Sequence, residues 1–319
     1  MLKRTFYTAL FLLCLTLTSR AQQDPQFTQY MFNNLFLTPA YAGVDGVTQV
    51  TVFHRAQWLG YQSSFGDGGA PSTSMVSFNT PIYKLKSGFG GYITSDRLGP
   101  QTNNELQAMY AYHLGIKDSK LSFGIKVGAY SQAIDYEMYR AIQPDDPLLA
   151  GKSGKDSQIR PDFGVGVFYR SEKYYAGIGM NHLTKAEFDF GVSEARNALQ
   201  NHMNLTAGYY YEVNFDLKIN PTILVKTDFK EYSFDLGIIA TLKDKMWGGL
   251  AFRQSEAANV LLGYSFLKDR SLKFGYAIDV VVKDQEAKEN FSHEMMVSYQ
   301  LPTIANTGKK VVRTPRYRH

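Results

Sequence analysis

The sequence predicts an all-β protein, a transmembrane antiparallel β-barrel of about fourteen strands with a short N-terminal periplasmic or plug segment and a basic C-terminal tail. Three observations carry that expectation. The chain opens with a secretory pattern, its body alternates apolar and polar residues with period two, and its connections sort into short and long by parity. The divisions that follow are 1–21 for a signal peptide, 22–47 for the N-terminal segment, 48–301 for the barrel and 302–319 for the tail.

Lys3 and Arg4 form a positive start, and Ala9 to Leu17 is an apolar run. Ser19-Arg20-Ala21 places small residues at the −3 and −1 positions of a cleavage site after Ala21. The run is too short to span a bilayer, so the segment reads as a cleaved signal. Cys14, the one cysteine, lies inside it, which leaves the mature chain without a thiol nucleophile, a Cys metal site or a disulfide. Cleavage also removes Lys3, Arg4 and Arg20 but no acid, leaving 31 basic residues against 29 acidic ones, or +2. So small an excess points to no nucleic-acid partner. Beyond Leu17 no apolar run approaches the ~20 residues of a membrane helix, whereas a barrel strand needs only ~9–11 alternating residues.

Alternation recurs along the rest of the chain. In 232–242 the even positions Tyr232, Phe234, Leu236, Ile238, Ala240 and Leu242 oppose Ser233, Asp235, Gly237 and Thr241. In 203–213, Met203, Leu205, Ala207, Tyr209, Tyr211 and Val213 oppose Asn204, Thr206, Gly208 and Glu212. A sheet with one apolar and one polar face produces this pattern, and a helix does not. Fourteen segments qualify: 48–57, 72–80, 87–95, 105–116, 120–135, 160–170, 174–182, 203–213, 216–228, 232–242, 246–253, 257–266, 272–282 and 292–301. Lipid would take the apolar face, and a polar lumen would take Glu105, Lys126, Asp235 and Glu294. A soluble sandwich also alternates, but it has nowhere to hide so many apolar faces.

The connections test this independently. Even-to-odd turns are mostly short, as at Lys117-Asp118-Ser119, Ser171-Glu172-Lys173, Asn214-Phe215 and Lys243-Asp244-Lys245. Odd-to-even connections are generally longer: 58–71, 96–104, 136–159, 183–202 and 283–291, with short ones near Phe229 and Gln254. Bacterial barrels have short periplasmic turns and long outer loops. An even strand count then places both mature ends in the periplasm.

The segment 22–43 is too rich in aromatic and amide groups for a solvated tail, and is expected to fold back as a plug or along the periplasmic rim. The tail carries Lys309, Lys310, Arg313, Arg316 and Arg318 and is either solvated or a site for an acidic partner. No enzyme, cofactor or metal site is expected. His54, His113, His182, His202 and His293 lack the spacing of a nucleophile elbow or a metal pair. His182 and His202 flank a long connection, are placed to meet across a hairpin, and read as interfacial residues rather than ligands. Asp67-Gly68-Gly69 and Pro144-Asp145-Asp146 have the composition of ordinary outer loops as much as of calcium loops.

The run Asp24-Pro25-Gln26-Phe27-Thr28-Gln29-Tyr30-Met31-Phe32, followed by Asn33-Asn34-Leu35 and Pro39-Ala40-Tyr41-Ala42-Gly43, resembles the opening signature of the PorP/SprF family. These are outer-membrane proteins of the type IX secretion and gliding system of Bacteroidetes. The resemblance continues in Arg55-Ala56-Gln57-Trp58, Gly69-Ala70-Pro71-Ser72-Thr73 and Asp96-Arg97-Leu98-Gly99, and ends at 292–299. The basic extension past Leu301 departs from it in being longer than in many members. The resemblance implies a partner-binding barrel in the outer membrane, supporting export and surface attachment of a large adhesin with a type B C-terminal sorting domain. It also implies contact with periplasmic ring and lipoprotein components of the machine. Trp58, Tyr61, Phe65, Phe188 and Phe190, on predicted outer loops, are the candidate partner anchors, or else a membrane-interface girdle. The alternative reading is a passive channel or small-solute transporter.

Overall fold

A computed structural model describes residues 24–61, 69–139, 151–190, 197–254, 256–282 and 289–302. The signal peptide, Phe65, both candidate calcium loops apart from Gly69, and the basic part of the tail lie outside the described residues. The strands are β1 (Gln49–Ala56), β2 (Ser72–Ile82), β3 (Ser87–Leu98), β4 (Gln101–Ile116), β5 (Ser119–Asp135), β6 (Lys155–Arg170) and β7 (Tyr174–Asn181). There follow β8 (Glu187–Phe188), β9 (Asn197–Ala198), β10 (His202–Tyr209), β11 (Tyr211–Glu212), β12 (Leu217–Thr227) and β13 (Tyr232–Leu242). The last four are β14 (Met246–Arg253), β15 (Ala257–Phe266), β16 (Leu272–Val281) and β17 (Phe291–Gln300). Fourteen of them form one closed antiparallel barrel, each paired with its barrel neighbours in sequence and β1 paired with β17 to complete the ring. The two-residue β8 and β9 make a separate hairpin, and β11 continues β10 past Tyr210.

Burial is inverted relative to a soluble protein. On β4, Leu106 is 57% exposed while its neighbour Glu105 is 5% exposed. On β13, Leu236 is 51% exposed and Asp235 is 2% exposed. The pattern repeats around the ring, with Val76, Ile93, Ile125, Leu250 and Leu262 outside and Thr73, Thr94, Lys126, Arg253 and Asn259 inside. An outward apolar band of this kind is stable only against hydrocarbon, and closure leaves no unpaired strand edge within the membrane.

The short turns gather at one rim and the longer connections at the other. Lys243 and Asp244 both adopt positive φ, as a two-residue type I′ hairpin turn requires. One expected long connection contracts. The pairing of β3 with β4 runs through Asp96↔Asn103, Arg97↔Thr102 and Leu98↔Gln101, leaving only Gly99 and Pro100 between the strands. Thr102, Asn103 and Asn104 are all polar, so the alternation signal ends before the hydrogen-bonded ladder does. Longer connections remain between β1 and β2, β5 and β6, β7 and β10, and β16 and β17.

Residues 24–44 occupy the lumen. They form a 3-10 turn (Tyr30–Phe32), one α-helical turn (Asn34–Leu37) and a second 3-10 turn (Pro39–Tyr41). Phe27, Tyr30, Leu35, Phe36 and Leu37 pack against the inward side chains Phe53, Met75, Tyr92, Met109, Leu224, Ile239, Trp247 and Met296. The barrel interior is therefore a packed core rather than an aqueous channel over these residues. Where residues 37–42 press on the wall, the strands carry glycine. A Cβ at Gly88, Gly124, Gly166 or Gly179 would overlap Ala42, Ala40, Thr38 or Leu37 respectively.

The segment crosses the lumen once. Gly43 and Val44 reach the short-turn rim, where Leu301 donates its N–H to the Thr48 carbonyl at 2.8 Å. Asp24 lies at the opposite rim, against His182 just after β7 and His202 at the start of β10. Asp24 and Leu301 thus lie at opposite rims of the barrel. The fourteen strands return the chain to the rim where they began, but the passage through the lumen that precedes β1 adds one more crossing.

Candidate functional site

An irregular segment inside a barrel must find partners for its backbone polar groups, because no ladder supplies them. The wall provides them from strands far apart in sequence. Thr28 and Gln29 donate their N–H groups to the Glu294 carboxylate at 2.7 and 2.9 Å. Arg253 Nη2 donates to the Phe27 carbonyl at 3.1 Å, and the Gly43 N–H donates to Asn79 Oδ1 at 2.6 Å. Thr38 Oγ1 donates to the Ile178 carbonyl at 3.0 Å. The Tyr30 hydroxyl lies 2.8 Å from Thr222 Oγ1.

Two buried charge clusters organise these contacts. In the first, Arg55 Nη1 sits 2.6 Å from Asp279 and 3.5 Å from Glu294, and also donates to the Thr28 hydroxyl. Arg253 Nε lies 2.6 Å from Asp235, which also pairs with Lys226 at 3.0 Å. The inward position of each of these residues follows from strand parity, and their pairing makes burial of the charges tolerable.

In the second cluster, Lys126 Nζ stands 3.3 Å from Glu105 and 3.8 Å from Asp162. Asp162 is 3.0 Å from His182 Nδ1. The other ring nitrogen, His182 Nε2, is 2.7 Å from one oxygen of Asp24, and His202 Nδ1 is 2.8 Å from the other. Both carboxylate oxygens of Asp24 are thus paired with imidazole nitrogens inside the barrel. His182 and His202 are 1% and 7% exposed. They are not interfacial, as the sequence suggested: His182 turns inward at positive φ just beyond β7, and His202 shares the lumen face of β10 with Asn204 and Thr206, so that the two rings meet at 5.8 Å.

The signature residues, apart from Trp58 on the β1–β2 connection, thus have a common location. Asp24, Pro25, Phe27, Tyr30, Pro39, Ala40, Tyr41 and Gly43 lie in the lumen segment, and Arg55 is the buried wall residue that grips it. Tyr41 packs edge-on against Phe168, with ring centroids 5.0 Å apart.

The candidate anchors divide. Trp58 and Tyr61 lie together on the β1–β2 connection, centroids 6.1 Å apart, both half-buried and beside exposed Leu59. Phe188 is 1% exposed, packed on Tyr130 and Leu199 with the Arg160 guanidinium 5.7 Å over its ring. It holds the β8–β9 hairpin down on β5 and β6 and presents no surface to a partner. Half-buried Phe190 packs on the same cluster. The sequence placed Glu105, Lys126, Asp235 and Glu294 on the lumen face. Their partners Asp162, Arg253 and Asp279 went unrecognised, since period two gives a face but not a cross-barrel neighbour.

A closed fourteen-strand barrel with an apolar exterior, a charged interior and a lumen packed by its own N-terminal segment defines this chain as an outer-membrane β-barrel protein. The chain belongs to the PorP/SprF family, type IX secretion system membrane proteins, whose sequence model matches residues 19–299. Among solved structures it is similar in fold to a deletion mutant of the monoaromatic hydrocarbon channel TodX (TM-score 0.50, 11% identity, 83% of this chain and 93% of that chain). It is also similar to the Ralstonia pickettii toluene transporter TbuX (TM-score 0.49, 12% identity, 83% and 92%). A third is the Acinetobacter baumannii outer membrane protein Omp33 (TM-score 0.46, 6% identity, 80% and 99%). At these identities the likeness concerns the fold alone. No curated protein sequence matches the chain significantly.

Proposed function

We propose that this barrel is a binding component of type IX secretion that supports export and surface attachment of a large adhesin through the adhesin's C-terminal sorting domain, in a system linked to gliding motility. The observation that carries the proposal is family membership over residues 19–299. The packed lumen is consistent with it, since a barrel whose interior is filled by residues 24–44 is suited to work at its rims. In this reading the short-turn rim faces the periplasm, where ring and lipoprotein components of the machine dock. The rim of longer connections faces outward and holds the cargo, with Trp58 and Tyr61 as anchors. The chain performs no covalent chemistry and needs no cofactor for this role.

The test is deletion of the gene, followed by surface labelling of the adhesin. The expected result is adhesin missing from the surface and retained or degraded inside, restored by the intact gene. Normal display in the deletion strain refutes the proposal.

A further inference from the structure

Asp24, His182 and His202 meet inside the wall in an arrangement that ordinary barrel packing does not require. His182 presents Nε2 and His202 presents Nδ1 to the two oxygens of one carboxylate, at 2.7 and 2.8 Å. One ligand atom from each of the three residues lies within 4.8 Å of the others. Ligands on a zinc tetrahedron with bonds of about 2.0 Å stand about 3.3 Å apart, and the three donor atoms here, all within 4.8 Å of one another, surround a space of that scale.

The surroundings favour a cation. The far nitrogen of His182 is 3.0 Å from Asp162 Oδ1. That contact fixes the ring and leaves Nε2 to face Asp24, as in carboxylate–histidine–metal triads. Asp162 is itself held by Gln107 Nε2 at 2.7 Å. Asp24, Asp162 and Glu105 against Lys126 leave two negative charges, which are balanced either by one divalent ion between neutral imidazoles or by two imidazolium rings with no ion. A cavity of about 20 Å³ lined by Asp24, Asn204 and Lys226 has room for one water next to the cluster.

We propose that Asp24, His182 and His202 form a divalent metal site, zinc by its donor chemistry, that clamps the start of the lumen segment to the barrel wall. Two imidazoles and a carboxylate with a water suit zinc and do not suit calcium or magnesium, which take oxygen ligands. Asp162 acts as the positioning residue for His182. The ion staples residue 24 to the ends of two strands, so its effect is on anchoring the segment.

The experiment uses tag-free, full-length barrel purified from outer membranes in detergent, stripped with chelator and titrated with zinc alone. The expected result is saturable uptake of one zinc per chain with Kd below about 1 µM and a Tm that rises with zinc. His182→Ala and His202→Ala should abolish uptake, and Asp162→Asn should weaken it about 10- to 100-fold. No saturable uptake, or unchanged uptake in the histidine variants, overturns the proposal. Should those variants fail to fold, cobalt loading of the unmodified protein decides it. Visible absorption bands of a tetrahedral two-imidazole site support the proposal, and their absence refutes it.

Discussion

Thr28 and Glu294 lie 266 positions apart in the chain, and the backbone N–H of one donates to the carboxylate of the other at 2.7 Å. Glu294 is fully buried on the last strand, and also accepts from Gln29 and pairs with Arg55. The contact ties the lumen segment to β17, the strand that closes the ring with β1.

Glu294→Ala removes an acceptor for two N–H groups and a counter-charge of Arg55 at once. Breaking a buried pair in this way costs about 3–5 kcal/mol. The loss should fall first on the segment, so that hydrogen exchange of Thr28 and Gln29 accelerates while β5 and β6 stay protected. Equal loss of protection throughout the barrel contradicts this.

Gly124→Ala offers a test of opposite sign. In a strand interior, alanine is ordinarily better than glycine by about 0.5–1 kcal/mol. Here the added Cβ meets the backbone of Pro39 and Ala40. The substitution should destabilise the intact protein by about 1–3 kcal/mol through overpacking. In a variant lacking residues 24–43, the same change should be neutral or stabilising in thermal melts.

The packed lumen predicts silence in planar bilayers. Deleting residues 24–43 removes Phe27, Tyr30, Leu35 and Phe36 from the core and should open a stable conductance through the charged interior. A steady conductance from the intact protein would favour a passive channel over a binding barrel.

Trp58 and Phe188 should behave differently although both are aromatic residues on long connections. Phe188→Ala empties a buried site between Tyr130 and Leu199 and should cost about 3 kcal/mol, read as local loosening of the β8–β9 hairpin. Trp58→Ala removes a half-buried ring at the rim, and should reduce cargo retention at the cell surface with a smaller change in Tm. Reduced retention with Phe188→Ala alone would move the binding surface to that hairpin.

Strand number, membrane face and the order of strands around the barrel were legible because each rests on a local rule. Period two assigns every strand residue to one of two faces, as with Leu236 outside and Asp235 inside, and short turns force neighbours to pair. The stretch 96–104 escaped because polar residues occupy both of its faces. The sequence by itself therefore determined a membrane barrel of fourteen strands with a charged lumen. Only the tertiary structure decided what those charges hold. Ring closure sets β1 beside β17, which brings Arg55 to Glu294, and the pairing of β7 with β10 sets His202 beside the end of β7. The lumen segment then threads the closed ring, carrying Asp24 to His182 and His202. These partners lie some 160 to 270 residues apart in the chain, a distance over which no periodicity in the sequence specifies contact.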